Sequence, residues 1–259
     1  MTASTTSPNV RRLRPDAAGG FAPNHPLDRN FFLLYAGLIW FGILAGFGPE
    51  ILKHVQGHEK PYPPIVHVHA AAFMGWLALF TVQILLIRTK RVAIHRKLGL
   101  AMIGLAGVMA VVGPVTALIA DHAKIGTPAY DPAFVAIQFT DIVGFVGLIG
   151  AAVAFRNVAP IHKRLALLST LSIADAGFAR WLFALGMTGT DLLQTWGSLY
   201  VCTTLLILGV GAYDLVTRRR LHPAYIAGVI WIALIQTTSM ALYFSPAWKV
   251  FADKLITQA

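Results

Sequence analysis

Two histidines stand in near-copies of one phrase. His95-Arg-Lys-Leu-Gly-Leu and His162-Lys-Arg-Leu-Ala-Leu each follow a short basic stretch. A neutral imidazole offers one ring nitrogen to a metal, and two imidazoles from different helices can flank one haem iron. The adjacent Arg96, Lys97, Lys163 and Arg164 are of the type that binds haem propionates. His95 and His162 are therefore candidate axial ligands, with the four basic residues as candidate cofactor contacts. The same phrases also suit a plain anchor, because histidine and basic residues sit well at a membrane interface.

A second group is polar and lies inside apolar runs. It comprises His69, Gln138, Asp141, Asp175 and Arg180. Ionisable groups within a membrane are functional candidates by default. Helical spacing puts Gln138 and Asp141 on one face. It separates Asp175 from Arg180 by about 140° around the helix, so Arg180 is expected to pair with Asp141 or an anion instead. His162, Ser169, Ala176 and Arg180 fall on one narrow strip, fit for a cofactor cavity, a proton path or a helix contact. His67 and His69 face different ways. His69 continues into Phe73, Trp76, Phe80 and Gln83, a stripe expected to face the protein interior. His67 or His69 with Asp141 could also hold a metal with an open position, although no compact histidine box appears. Glu50, His54, His58, Glu59 and His122 are expected in loops, and His25 and His222 at the surface.

The elements that must position these residues follow from composition. Of 259 residues, 56% are hydrophobic and 12% charged, and mean hydropathy is +0.66. Soluble domains carry about 25% charge, so a soluble enzyme, a disordered chain and a disulfide-rich secreted domain are all excluded. Seven apolar runs each meet the ~20 residues needed to cross a bilayer: 31–52, 65–87, 97–120, 133–155, 163–187, 193–216 and 222–243. The reading is an all-α polytopic bundle of seven transmembrane helices. Residues 1–30 form a flexible cytoplasmic lead-in, and 244–259 an interfacial helix or a disordered tail. The first run serves as an uncleaved signal anchor. With the N-terminus inside, most of the 21 Lys and Arg fall in cytoplasmic segments. That gives an N-in, C-out orientation. It also explains the net charge of +10 without nucleic acid. The single cysteine, Cys202, excludes an intrachain disulfide and reads as a packing residue. The seventh run has no lysine for a retinal Schiff base and no His-x-x-x-His for a seven-span zinc hydrolase.

His69 at the outer end of run 2, and His95 and His162 at the inner ends of runs 3 and 5, resemble the pattern of the four-histidine diheme transmembrane cytochromes b of the ascorbate-reducible ferric reductase group. The phrases His-Arg-Lys-Leu-Gly and His-Lys-Arg-Leu also resemble bacterial multi-span families with histidine-plus-basic hairpins. Runs 2–5 carry the resemblance. Run 4 has no histidine, so the resemblance implies one haem b at the inner side and no complete outer site. It implies a membrane electron-transfer protein, with a quinone or redox partner besides the lipid bilayer. His69, Asp141 and Arg180 would then line an outer quinone or proton site. Two further readings come from the residues alone. One is a proton-coupled transporter or small-molecule-binding protein using Asp141, Asp175 and Arg180. The other is a metal-dependent membrane enzyme using His69 and Asp141. The expected location is a bacterial inner (plasma) membrane.

Overall fold

The computed structural model describes residues 21–22, 24–57 and 61–259. Among these the chain is all helical, with seven spans long and apolar enough to cross a membrane. They are α1 (Asp28–Val55), α2 (Pro64–Arg88), α3 (Val92–His122), α4 (Val135–Ala154), α5 (Ala159–Ser172) continued by α6 (Asp175–Ala184), α7 (Leu192–Arg218) and α8 (Pro223–Tyr243). Most of the expected segment 1–30, with its arginines at 11, 12 and 14, lies outside the described residues, as do His58, Glu59 and Lys60.

Local chemistry sets the helix starts. Pro64, Pro160, Pro223 and Pro246 stand in first turns, where a missing N–H costs nothing. Asp191 caps α7, and Ser245 caps the helix that starts at Pro246, by accepting the Gln194 and Trp248 N–H groups at 2.9 and 3.3 Å. Short connections make successive spans antiparallel. The starts of α1, α3, α5 and α8 and the ends of α2, α4 and α7 therefore share one end of the bundle, called here the basic face.

Leu34, Leu44, Leu100, Val111, Val143, Leu205 and Leu234 point outward and are exposed. That is the pattern of a bundle in hydrocarbon, where the outside is as apolar as the inside. The fifth span is different. In its apolar window 72% of residues are buried, against 28% in the first, second and seventh spans. The α5–α6 segment is thus the centre of the bundle. It meets α1, α4, α7 and α8.

That central span is not one helix, as the uninterrupted run 163–187 implies, but two. The Ala174 N–H turns to the Leu171 carbonyl at 3.1 Å, and α6 starts afresh at Asp175, whose Oδ1 accepts the Ala176 N–H at 2.7 Å. No proline marks the break. Ser172 and Asp175 instead offer the backbone local alternatives to the helix ladder. Beyond it α6 crosses α1 closely. A Cβ on Gly46 would strike the Gly177 carbonyl, and one on Gly177 would strike the backbone of Gly42 and Ile43. Only glycine admits that approach.

Residues 244–259 contain an ordered helix, α9 (Pro246–Thr257). Ala252 and Ile256 pack on Val135. The Trp248 indole donates to the Ala133 carbonyl at 3.3 Å, and Tyr130 donates to Asp253 at 2.6 Å. Burial and the Asp253 carboxylate push the Tyr130 phenol up to about 12. His122, expected in a loop, ends α3 with its Nδ1 2.8 Å from the Ile256 carbonyl.

Candidate functional site

His95 and His162 occupy the same place in their helices. Each is the fourth residue after the N-cap, Arg91 in α3 and Val158 in α5. The bundle brings them together, with ring centres 6.3 Å apart and planes at 87°. His162 Nδ1 lies 2.9 Å from the Ala152 carbonyl in the last turn of α4. A carbonyl only accepts, so that nitrogen carries the proton and Nε2 keeps its lone pair. His95 Nδ1 is buried with no hydrogen-bond partner among the described residues. Beneath it, Gln83 of α2 donates to the His95 carbonyl at 3.2 Å, while the Gln83 Oε1 is buried and unsatisfied. The stripe Trp76, Phe80 and Gln83 is buried as the sequence predicts.

The basic neighbours divide. Arg96 and Lys97 are exposed. Lys163 instead binds Asp28 at 2.7 Å. Arg164 is 2% exposed and grips Asp214 of α7 through two nitrogens, one at 2.8 Å, with a third on the Pro160 carbonyl. Its guanidinium also lies over the Phe21 ring at 4.5 Å. Lys163 and Arg164, both candidate propionate contacts, thus each already have a carboxylate partner. Asp28 and Asp214 were not singled out from the sequence. The signal available was an acid at the edge of an apolar run, with Asp214 four residues before Arg218. Asp28 collects Lys163, Tyr213 at 2.6 Å and Arg218 at 2.8 Å. His222 is not a surface residue. It is 8% exposed and caps α8, its Nδ1 accepting the Ala224 N–H at 3.0 Å. Burial, then the Arg164 charge, holds its imidazole below the ordinary histidine value.

Arg180 does not pair with Asp141. It lies 3.4 Å from Glu50, over the Phe47 ring at 4.3 Å, and donates to the Ala176 carbonyl at 3.0 Å. Glu50 is on α1 rather than in a loop, because that helix runs on to Val55, and it also accepts from Tyr62 at 2.5 Å. The strip through His162, Ser169, Ala176 and Arg180 is cut by the break after Ser172. Ser169 is fully buried, donating to the Phe145 carbonyl at 3.3 Å.

Asp141 and Asp175 do come together. Both line a cavity of about 10 Å³ at the level of the α5–α6 break, with Ser172, Tyr200, Thr203 and Gln236. Gln138 is not in its wall. Gln138 Oε1, His69 Nδ1 and Thr116 Oγ1 are each buried without a partner among the described residues, and His69 stacks on Phe73 at 4.1 Å. Among the described residues no three His, Cys, Asp or Glu side chains converge to hold a metal, so neither His69 nor His67 with Asp141 forms such a site. Comparison with protein-family models, curated proteins and solved structures finds no match to the chain.

Proposed function

We propose that this chain is an integral membrane electron-transfer protein that binds one haem b between His95 and His162. The observation that carries the reading is their 6.3 Å ring separation. Imidazoles on opposite sides of one iron have ring centres roughly 6 Å apart, from two metal–nitrogen bonds of about 2 Å and about 1 Å from each nitrogen to its ring centre. Two protein ligands are too few for a bare metal ion but enough for iron in a macrocycle that brings four nitrogens of its own. The donor set fits. Ala152 fixes the His162 tautomer with Nε2 bare, and His95 retains an unpartnered nitrogen. Arg96 and Lys97 are the basic residues left to bind propionates.

When bound, the haem supplies the one-electron chemistry. The chain's own residues would orient the His162 ring through the Ala152 carbonyl and hold the His95 backbone through Gln83. A membrane quinone or a redox partner exchanges the electron on this reading, and the basic face lies in the cytoplasm of a bacterial inner membrane.

The test is an absorption spectrum of the full chain, purified from haem-replete cells, oxidised and then reduced with dithionite. A sharp reduced α band is expected, lost in His95→Ala and in His162→Ala but kept in His69→Ala. A featureless spectrum from folded protein overturns the reading.

A further inference from the structure

Among the described residues, Asp141 and Asp175 are the carboxylates in the bundle centre that form no ion pair. The nearest cations in their spans are engaged elsewhere, Arg164 by Asp214 and Arg180 by Glu50. Asp175 is 5% exposed. Its Oδ1 takes the Ala176 N–H, and the residue lines the cavity. Asp141 reaches the same cavity from α4. The other walls bring no charge. Tyr200 and Thr203 come from α7 and Gln236 from α8, and the Tyr200 hydroxyl is spent on Ser239 at 2.9 Å. A cavity of about 10 Å³ holds one water. Two negative charges confined beside one water, without a counter-ion, repel each other strongly, and one proton removes the conflict.

A second cavity, of about 140 Å³, lies at the end of the bundle away from the basic face. Thr188 and Gly189 of the α6–α7 loop line it, with Thr195, Ser198 and Tyr243. It has room for several waters. Between the two cavities is an apolar cluster of Ile137, Ala179, Leu199, Tyr200 and Met240. Ile137 and Leu199 also line the outer cavity and Tyr200 the inner one, so this cluster is the partition.

We infer that Asp141 and Asp175 form a proton-binding site at the α5–α6 break, holding one proton between two carboxylates and exchanging it through the Thr195–Ser198 vestibule. The helix break puts Ser172 and Asp175, on either side of it, in the cavity wall. Such a site serves a proton-coupled carrier or a redox protein alike, and it stands apart from the haem reading.

The experiment is infrared spectroscopy of the full chain in lipid nanodiscs near neutral pH, in water and in heavy water. A carbonyl band of a protonated carboxyl is expected. It should shift on deuteration and on labelling of the aspartate carboxyl carbon with 13C, and disappear in Asp141→Asn or Asp175→Asn. The isotope arm needs no variant to fold. Absence of a label-sensitive band in the unmodified chain overturns the proposal. Loss of the band on adding sodium ions also overturns it, in favour of a cation site. Leu199→Ala, which thins the partition, should speed deuteration of the band several-fold. An unchanged rate in that variant refutes the vestibule route.

Discussion

Arg164–Asp214 and Asp141–Asp175 are two pairs of charged residues inside the same bundle, built on opposite terms. The first joins unlike charges at the basic face, with all three guanidinium nitrogens bonded to an acceptor. The second joins like charges in the middle of the bundle, around a cavity, with no ion pair to a cation among the described residues. A buried ion pair is neutral as a unit and needs nothing from outside. Two buried carboxylates reach that state only by taking something up. One pair therefore fastens α5 to α7, while the other is a place where a ligand has to arrive.

The contrast breaks most visibly at Asp214. Asp214→Asn leaves the Arg164 charge buried and unpaired, which costs roughly 3–5 kcal/mol. It should appear as collapse of folded yield or a large fall in thermal stability in detergent. By contrast, Asp175→Asn keeps the shape and removes a charge that burial already opposes. Its stability should stay within about 1 kcal/mol of the parent. A fall as large as that of Asp214→Asn would erase the distinction between the pairs.

Of intermediate size is Gly46→Val. It forces a side chain into the Gly177 carbonyl and should cost about 1–3 kcal/mol or more through overpacking, measured by thermal melting. Because α6 carries Asp175, the same variant should disturb the carboxyl infrared band, whereas Gly104→Ala, with open space around its Cα, should leave it alone.

Smaller still is the Arg180–Glu50 pair, about 40% exposed on each side, where Glu50→Gln should cost under about 1 kcal/mol. The smallest effect is pH-dependent. His222 is held below the ordinary histidine value in the folded chain, so the folded state favours its neutral form. That contribution is complete above the unfolded value of about 6.5 and is lost as pH falls through the lower folded value. The melting temperature should drop by a few degrees on acidification. His222→Asn keeps a cap acceptor and should flatten that part of the profile.

Much of the architecture was legible because hydrophobic length is a direct consequence of bilayer thickness. Seven apolar runs became seven spans, and the stripe through Trp76, Phe80 and Gln83 turned inward as its period required. The repeated His-basic phrases were legible as well, since equal distance from equivalent N-caps puts His95 and His162 at one depth. Other features were not. The span through Ser172 and Asp175 looks continuous, because serine and aspartate do not force a break as proline does. Helical angle leaves Arg180 to Asp141 or to another anion, and the extension of α1 past Pro49 supplies that anion as Glu50. Asp28 gave no sign that it would gather Lys163, Tyr213 and Arg218.

Span number and the approximate limits of each span were thus determined by the sequence itself. They depend on quantities local to a segment: its length, its hydrophobicity and its capping residues. Partnership was decided only by the tertiary structure. Whether a buried charge is neutralised by an arginine, shared with another carboxylate or left beside a cavity depends on which helices touch and how closely. Here the glycine contact of α1 with α6 and the break between α5 and α6 settle both.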